Sequence, residues 1–360
     1  MSEAPGKGSL SVTEKVMMAL KLGTVVPWLF YQAAAAIFRD KETTRSWMHE
    51  MRNRFAHHCL TCFSVDELPY TPLFPSTESV VAGSCRKLKW PREIQDIPGG
   101  EGARIHWLGD QKAKHVLLWF HGGGFALPAN PGHTNFLAEC QKKLDAAGKN
   151  VLVALVEYTL TPYAKFPTQP KQCLLAYKEA LGRGYGAENI IIGGDSAGGN
   201  LAVSLLLSLH HHPPSLPQVS SQGIVAGLCL VSPWISYSGQ SESFKRFNDY
   251  DIVLRDQVLD WADRYQPSPL RDIYSEPARA GPDDWKDLPV KKVLLLASTG
   301  EVLHDDIIEM GQKMEKGGLP MTVVQCPKSR HIECIQDAQV GLTPGTMSEA
   351  VWEWLPTVCT

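Results

Sequence analysis

Short apolar runs alternate with longer amphipathic segments over most of the chain from residue 103 onward. Short runs that are apolar on both faces are typical of strands buried in a parallel sheet, whereas the segments between them have a helical pattern. The alternation predicts the α/β class, a mainly parallel sheet flanked by helices. The predicted strands are Arg104–Leu108, Val116–Phe120, Val151–Glu157, Ile190–Gly193, Leu228–Ser232, Val293–Ser298 and Met321–Cys326. The helical patterns include Thr134–Ala147, Pro170–Arg183 and Ala197–His212.

A serine flanked by small residues lies where one predicted strand meets the next predicted helix. Residues 194–199 read Gly-Asp-Ser-Ala-Gly-Gly, between the apolar run Asn189–Ile192 and the apolar stretch Leu201–Leu209. This order of strand, sharp turn and helix is typical of a strained turn that exposes a serine hydroxyl at a helix N-terminus. Small flanking residues are needed because bulk there would clash with neighbouring backbone. The pattern predicts Ser196 as a nucleophile.

A glycine tract follows an earlier strand. Residues 121–125 read His-Gly-Gly-Gly-Phe, directly after the run His115–Phe120. Consecutive glycines let backbone N–H groups face a ligand with no side chain between them, and such donors stabilise the oxyanion that forms when a serine attacks an ester. Because the tract follows a strand and precedes the serine turn, it is interpreted as an oxyanion loop rather than a flexible linker.

A nucleophilic serine needs a histidine base and a carboxylate that orients the base, in the chain order serine, acid, histidine. Residues 210–212 are histidines on the serine's own helix, out of its reach, whereas His331 follows the last predicted strand. We therefore predict His331 as the base. Glu301 is the first carboxylate after the strand Val293–Ser298 and is the predicted acid. Asp305 is the alternative, with a possible structural role at a helix N-terminus.

Composition narrows the functional classes. The chain has 360 residues, 44% hydrophobic and 20% charged, with a net charge of −3 and no long basic run, which argues against nucleic-acid binding. Its nine cysteines are odd in number and irregularly spaced, which favours reduced thiols in an intracellular protein. The cluster His57–Cys62 lacks a second ligand pair at metal-binding spacing. We expect neither a metal nor a cofactor.

The segment Val16–Phe38 is mostly apolar but contains Lys21, Pro27 and Gln32. A membrane-spanning helix needs roughly 20 apolar residues with few interruptions. Three interpretations stay open: a helix that covers a binding site, an interfacial membrane anchor, and a membrane span. The covering helix is favoured. We expect the protein to be intracellular, either in the cytoplasm or associated with the endoplasmic reticulum membrane.

Several motifs together resemble a known family. The tracts at 121–125 and 194–200 resemble the hormone-sensitive-lipase-like branch of the α/β hydrolases, and the resemblance extends over roughly residues 115–335. Four further segments look like the fungal steryl acetyl hydrolase group: Tyr158–Thr161, Phe166–Pro170, Val231–Ile235 and Gly300–Ile307. The resemblance implies an α/β-hydrolase fold, and its subgroup also suggests an N-terminal membrane anchor at residues 16–38.

The resemblance assigns roles to individual residues. Oxyanion-hole amides would come from Gly123, Gly124 and Ala197, and the catalytic triad would be Ser196, Glu301 and His331. Many relatives have Asp at the acid position, so the Glu here is a departure that keeps Asp305 open as the acid. The motif flanks suggest that Phe125, Trp234 and Tyr237 line the substrate pocket, and packing in the core is an equal alternative for each of them.

The predicted organisation has two parts. Residues 1–100 form an N-terminal helical region, and residues 101–360 form the catalytic α/β-hydrolase domain. Residues 233–289 contain no obvious strand and are too long for a plain loop inside a compact domain. We interpret them as an insertion that forms a cap over the site together with the N-terminal helices.

The expected function is hydrolysis of a carboxylic ester of an apolar, sterol- or terpenoid-like alcohol through an acyl-enzyme. The main alternative is acyl transfer or cyclising release in a biosynthetic pathway, which would use the same triad with a different acceptor. A ligand-binding relative without catalysis is disfavoured, because the serine and the histidine are both present. The expected partner is a small apolar ester.

Overall fold

A central sheet contains every named strand of the residues described by the computed structural model, which are 11–38, 41, 44–71 and 73–359. Residues 1–10, part of the predicted N-terminal region, lie outside the described residues. The strands are β1 (Arg92–Asp96), β2 (Arg104–Leu108), β3 (His115–Phe120), β4 (Val151–Glu157), β5 (Ile190–Asp195), β6 (Gly227–Val231), β7 (Val293–Ser298) and β8 (Met321–Cys326). Their order in the sheet is β1-β2-β4-β3-β5-β6-β7-β8.

The sheet is mainly parallel, as predicted. Strand β2 pairs antiparallel with β1 and β4, and all other neighbouring strands pair in parallel. Every residue of β3, β5, β6 and β7 is buried, which explains their continuous apolar sequences. The sequence prediction missed β1, because this edge strand is polar and none of its residues is fully buried. The sheet therefore begins before residue 101, inside the region predicted to be helical.

Helices flank this sheet and confirm the predicted α/β class. Helices α4 and α11 contact each other and the sheet, and α5 and α6 do the same. The helices are α1 (Val12–Ala35), α2 (Trp47–Cys62), α3 (Thr77–Leu88), α4 (Pro131–Ala146), α5 (Thr168–Gly182), α6 (Ala197–His211), α7 (Glu242–Phe247), α8 (Arg255–Tyr265), α9 (His304–Lys316), α10 (Glu333–Val340) and α11 (Thr346–Trp354).

Helix α2 is held against α10 by a buried ionic cluster. The guanidinium groups of Arg45 and Arg52 both bind the carboxylate of Asp337, which is 2% exposed. Arg45 Nε also lies 3.1 Å from Glu333 Oε2. Buried charges are tolerated only when they are paired in this way. Because α10 begins two residues after His331, the cluster places α2 beside the carboxyl edge of the sheet.

The segment 233–289 folds into α7, α8 and short 3₁₀ turns, and no strand occurs among its residues, all of which are described. Helix α8 contacts the glycine tract: a Cβ atom added to Gly124 would lie 1.9 Å from the Trp261 ring. Only a glycine fits between this ring and the backbone. The segment therefore packs directly on the loop that follows β3.

Candidate active site

Ser196 occupies a strained turn between β5 and α6. Its φ of 52° and ψ of −121° lie outside the regions that non-glycine residues usually adopt. The turn is fixed by its own backbone, since Ser196 N–H donates to Val231 O and Trp234 N–H donates to Ser196 O, both at 2.9 Å. A Cβ on Gly198 would lie 1.9 Å from Phe120 O, so the following turn of helix can approach β3 only without a side chain.

Three side chains form one hydrogen-bonded chain at this edge of the sheet. Ser196 Oγ lies 2.9 Å from His331 Nε2, and His331 Nδ1 lies 2.6 Å from Glu301 Oε2. The other carboxylate oxygen of Glu301 accepts Ser298 N–H at 2.6 Å and Ser232 O–H at 2.9 Å. Glu301 therefore accepts a hydrogen bond from Nδ1–H, which leaves Nε2 free to accept the Ser196 proton. These are the three residues that the sequence predicted to come together.

Asp305, the alternative acid, has different partners. Its Oδ2 accepts Ser243 N–H at 2.8 Å, and its Oδ1 lies 2.9 Å from His304 Nδ1. It lies in the first turn of α9 and makes no hydrogen bond to His331. The structure therefore brings Glu301, and not Asp305, to the histidine.

The environment of His331 favours its protonated form. Burial alone lowers the pKa of His331, but the hydrogen bond and charge of Glu301 and the charges of Asp251 and Asp195 outweigh burial. The pKa of His331 therefore lies above its ordinary value of 6.5. A histidine base with a raised pKa accepts a proton from a serine hydroxyl more readily.

The glycine tract leaves backbone donors unused. Gly122 N–H donates to Asp195 Oδ2 at 3.1 Å, whereas the N–H groups of Gly123, Gly124 and Ala197 donate no hydrogen bond to any described residue. Gly123 and Gly124 have φ values of 111° and 59°, which suit glycine. Unused donors on both sides of the serine are what an oxyanion hole requires.

Asp195 ties the glycine tract to the serine turn. Besides Gly122 N–H, its buried carboxylate accepts Trp119 Nε1–H at 3.0 Å and His133 Nε2–H at 3.1 Å. Burial acts to raise the pKa of Asp195, but the electrostatic influence of His133 and the hydrogen bonds from His133 and Trp119 prevail and lower it. His133 Nδ1 accepts Asn130 N–H at 3.0 Å, which leaves the proton on Nε2. The sequence prediction gave neither Asp195 nor His133 a role.

His121 supports the tract and stays neutral. Burial, together with the electrostatic influence of His133, lowers the pKa of His121 to about 4. Its Nδ1–H donates to Gly122 O at 2.7 Å, and its ring stacks on Tyr158 with 4.4 Å between centroids. Tyr158 O–H donates back to His121 O at 2.8 Å. The histidine therefore positions the loop backbone.

A cavity of about 240 Å³ opens beside Ser196 and His331. Its roof is formed by α2 and by Ile252, Val253 and Trp261 of the 233–289 segment. None of the described side chains of α1 lines it, so α2, and not residues 16–38, covers the site directly. Helix α1 lies instead on α2, where Trp28 stacks on His58 with 3.9 Å between ring centroids.

The aromatic residues predicted to line the pocket do not line this cavity. Phe125, Trp234 and Tyr237 are buried, and Phe125 stacks on Tyr265 with 3.8 Å between ring centroids. Tyr237 O–H donates to Ser275 O at 2.6 Å. These rings fill the core between the serine turn and the 233–289 segment, which corrects the prediction. An apolar flank next to a motif does not distinguish core from pocket.

The central part of the chain matches a family model. The model, described as the alpha/beta hydrolase fold, matches residues 117–334, which is more than half of the chain and includes the serine, the acid and the histidine. The chain belongs to the α/β-hydrolase fold family. The predicted fold class is thereby confirmed.

Two relatives of known sequence have names that refer to acetyl ester hydrolysis. An acetyl-hydrolase of Streptomyces hygroscopicus is 30% identical over 219 residues, which cover 60% of this chain and 67% of that protein. The protein mug81 of Schizosaccharomyces pombe, provisionally named a steryl acetyl hydrolase, is 23% identical over 278 residues, covering 72% of this chain and 69% of that protein. The chain thus spans about two thirds of the length of both relatives.

Among solved structures, an esterase from the bacterial hormone-sensitive lipase family superposes with a TM-score of 0.63 at 22% identity, and the match covers 100% of both chains. This likeness supports the fold. The family match, the motifs and the relatives confirm the predicted resemblance to the hormone-sensitive-lipase-like branch. This α/β hydrolase is an enzyme of the carboxylic ester hydrolase class.

Among the described residues of this hydrolase, one group of side chains has the composition of a metal site. Glu78, His106 and Glu157 bring ligand atoms within 4.8 Å of one another near β2. Arg92 lies 3.0 Å from Glu78 and Arg104 lies 3.0 Å from Glu157, so each carboxylate already has a cationic partner. The group is best described as an ion-pair network at the sheet edge.

Asp251 is a buried carboxylate that the sequence prediction missed. Its Oδ1 accepts His331 N–H at 3.2 Å, and its Oδ2 accepts Val302 N–H at 2.8 Å. It therefore joins the loop that carries the base to the loop that carries the acid. Its carbonyl oxygen also accepts His57 Nδ1–H from α2 at 2.7 Å. No local motif marks Asp251, because its partners lie far away in the sequence.

Asp251→Asn is expected to move the acid limb of the pH profile of kcat/KM to lower pH. In the wild type this limb follows deprotonation of His331 and is centred above pH 6.5, because the pKa of His331 is raised. Removing the Asp251 charge removes one influence that raises this pKa. We also expect kcat to fall about tenfold or more, because one amide loses its acceptor and the base is misplaced.

Hydrolysis of p-nitrophenyl acetate across the pH range measures both quantities. Asp249→Asn is the matched control, because it removes an exposed negative charge two residues away. An acid limb that is identical in Asp251→Asn, Asp249→Asn and wild type would show that Asp251 does not act on His331.

Proposed function

We propose that this hydrolase cleaves small esters with an apolar alcohol part, acetates among them, through an acyl-enzyme on Ser196. The observation that carries the proposal is the hydrogen-bonded chain Glu301–His331–Ser196, which opens on a mainly apolar cavity. The names of the two relatives, an acetyl-hydrolase and a provisional steryl acetyl hydrolase, favour an acetyl group as the acyl part.

The chemistry follows from the geometry. Ser196 Oγ attacks the acyl carbon while its proton passes to His331 Nε2, and the oxyanion accepts hydrogen bonds from the amides of Gly123, Gly124 and Ala197. The bond to the alcohol oxygen then breaks, and His331 returns the proton to that oxygen. Water, deprotonated by His331, attacks the acyl carbon and releases the acid and free Ser196. Glu301 stabilises the imidazolium throughout.

The cavity sets a size limit. Its volume of about 240 Å³ is below the range of roughly 300–1,000 Å³ that is usual for ligand pockets. A sterol- or terpenoid-like alcohol would therefore extend through the mouth, where Leu73 and Val340 are exposed. The α2 helix and the 233–289 segment would act as the cap that excludes water from the acyl carbon.

Glu301→Gln is expected to lower kcat by about 10²–10⁴-fold, because the imidazolium loses its negative partner. Ser196→Ala and His331→Ala are expected to remove nearly all turnover. Asp305→Asn is the matched carboxylate control and should stay within a few-fold of wild type. Steady-state hydrolysis of an acetate ester, with thermal unfolding to show that each variant is folded, measures these effects. Full activity in Glu301→Gln beside an inactive, folded Asp305→Asn would assign the acid to Asp305.

We further propose that α1 attaches the enzyme to a membrane surface while lying along it. Lys15–Phe38 is long and apolar enough to cross a membrane by length and composition, and only 6% of its most apolar window is buried. Phe30 and Tyr31 are 76% and 69% exposed. Yet Lys21 pairs with Glu67 at 2.7 Å, which favours a helix that rests on the protein body. Exposed aromatic residues on such a helix suit the membrane interface.

The double variant Phe30→Ser, Tyr31→Ser is expected to bind phosphatidylcholine vesicles about tenfold or more weakly than wild type, because two large apolar side chains no longer enter the interface. Co-sedimentation with vesicles measures the binding, and Ile224→Ser is a control at a similarly exposed apolar position, 57% exposed. Equal binding of all three proteins, or no binding by wild type, would contradict the proposal.

A further inference from the structure

The cavity beside Ser196 has walls of two kinds. One wall is apolar and comes from α2, the loop at 73–75 and the 233–289 segment. The other comes from the segment that follows His331 and contains Ile332 and the α10 residues Gln336, Gln339 and Val340. The apolar side chains of the first wall include Phe55, Leu60, Phe74, Val253 and Trp261.

Most polar side chains that line the cavity already have partners within the protein. Arg52 binds Asp337 and donates to Asn53 Oδ1. Asn130 Oδ1 accepts Gly132 N–H at 2.8 Å, and both ring nitrogens of His133 are occupied. Each of these side chains therefore has at least one hydrogen-bond partner within the protein.

Gln336 differs from them. It is 8% exposed, lines the cavity, and its side chain makes no hydrogen bond to any described residue. An amide without a partner in mainly apolar surroundings is unfavourable unless a bound molecule or water satisfies it. Gln339 also lines the cavity but is exposed at its mouth, where water can bind it.

Gln336 lies on the same side of the cavity as His331. It lies one helical turn, roughly 6 Å, after Ile332, which is the neighbour of His331 in the chain. His331 Nε2 returns a proton to the departing alcohol in the proposed mechanism, so the alcohol part of the ester lies on the His331 side of the cavity. Gln336 is on that same side.

We propose that Gln336 binds a second oxygen group, a hydroxyl or a carbonyl, on the alcohol part of the ester. The substrate class is thus an ester of an apolar alcohol that carries another oxygen function several bonds from the ester. The Gln336 amide donates to a carbonyl and both donates to and accepts from a hydroxyl. This inference rests on the proposed hydrolysis at Ser196 and adds the feature that selects among apolar esters.

Two acetates that differ by one hydroxyl test the inference: cyclohexyl acetate and trans-4-hydroxycyclohexyl acetate. Wild type is expected to favour the hydroxy ester in kcat/KM by about tenfold, the value of one hydrogen bond. Gln336→Leu should remove this preference and leave cyclohexyl acetate hydrolysis within a few-fold of wild type. Gln336→Glu keeps an acceptor of the same size and should keep part of the preference. Gln339→Leu, the same change at the cavity mouth, should retain the wild-type preference.

A second pair, cyclohexyl butyrate and cyclohexyl 4-hydroxybutyrate, places the hydroxyl on the acyl part, and Gln336→Leu should not alter the ratio of their kcat/KM values. If the Gln336 variant changes the acyl pair and not the alcohol pair, the assignment to the alcohol part is overturned. Equal wild-type kcat/KM for the two acetates overturns the role of Gln336 but leaves ester hydrolysis standing. If wild type hydrolyses none of the esters, the proposed function fails and this inference fails with it.

Discussion

Ser196 has a positive φ at the end of β5. This conformation costs about 1–3 kcal/mol and persists only where several surrounding contacts hold it in place. Two backbone hydrogen bonds, from Ser196 N–H to Val231 O and from Trp234 N–H to Ser196 O, fix the turn to the end of β6. The close approach of Gly198 to Phe120 O fixes it to β3. The loops after these neighbouring strands are consequently held around the serine hydroxyl.

Three buried carboxylates then place the groups around that hydroxyl. Asp195 accepts an N–H of the glycine tract, Glu301 accepts the imidazole N–H of His331, and Asp251 accepts the backbone N–H groups of His331 and Val302. Each carboxylate reaches from one loop to another, so the positions of the loops depend on one another. Their negative charges also raise the pKa of His331 against the effect of burial. The same contacts therefore set both the geometry and the basicity of the site.

The sequence alone predicted those functional residues that are marked by their immediate neighbours in the chain. The glycine tract, Ser196 and the loops after β7 and β8 are each marked by a strand end followed by characteristic residues, so the site and the fold class were predictable. Glu301 and Asp305 could be ranked but not separated, because both follow the same strand. Asp251 could not be found, because its partners are 51 and 80 residues away. Phe125 was misplaced because burial in the core and exposure to a pocket leave the same apolar pattern.

The central claim is that Ser196 is the activated nucleophile of this hydrolase. Incubation of the folded enzyme with a fluorophosphonate, followed by mass spectrometry of the intact protein and its peptides, tests it directly. We expect one adduct per chain, on the peptide that contains Ser196, and loss of ester hydrolysis in proportion to labelling. An enzyme that hydrolyses esters but carries no adduct, or carries it on another residue, would contradict the account.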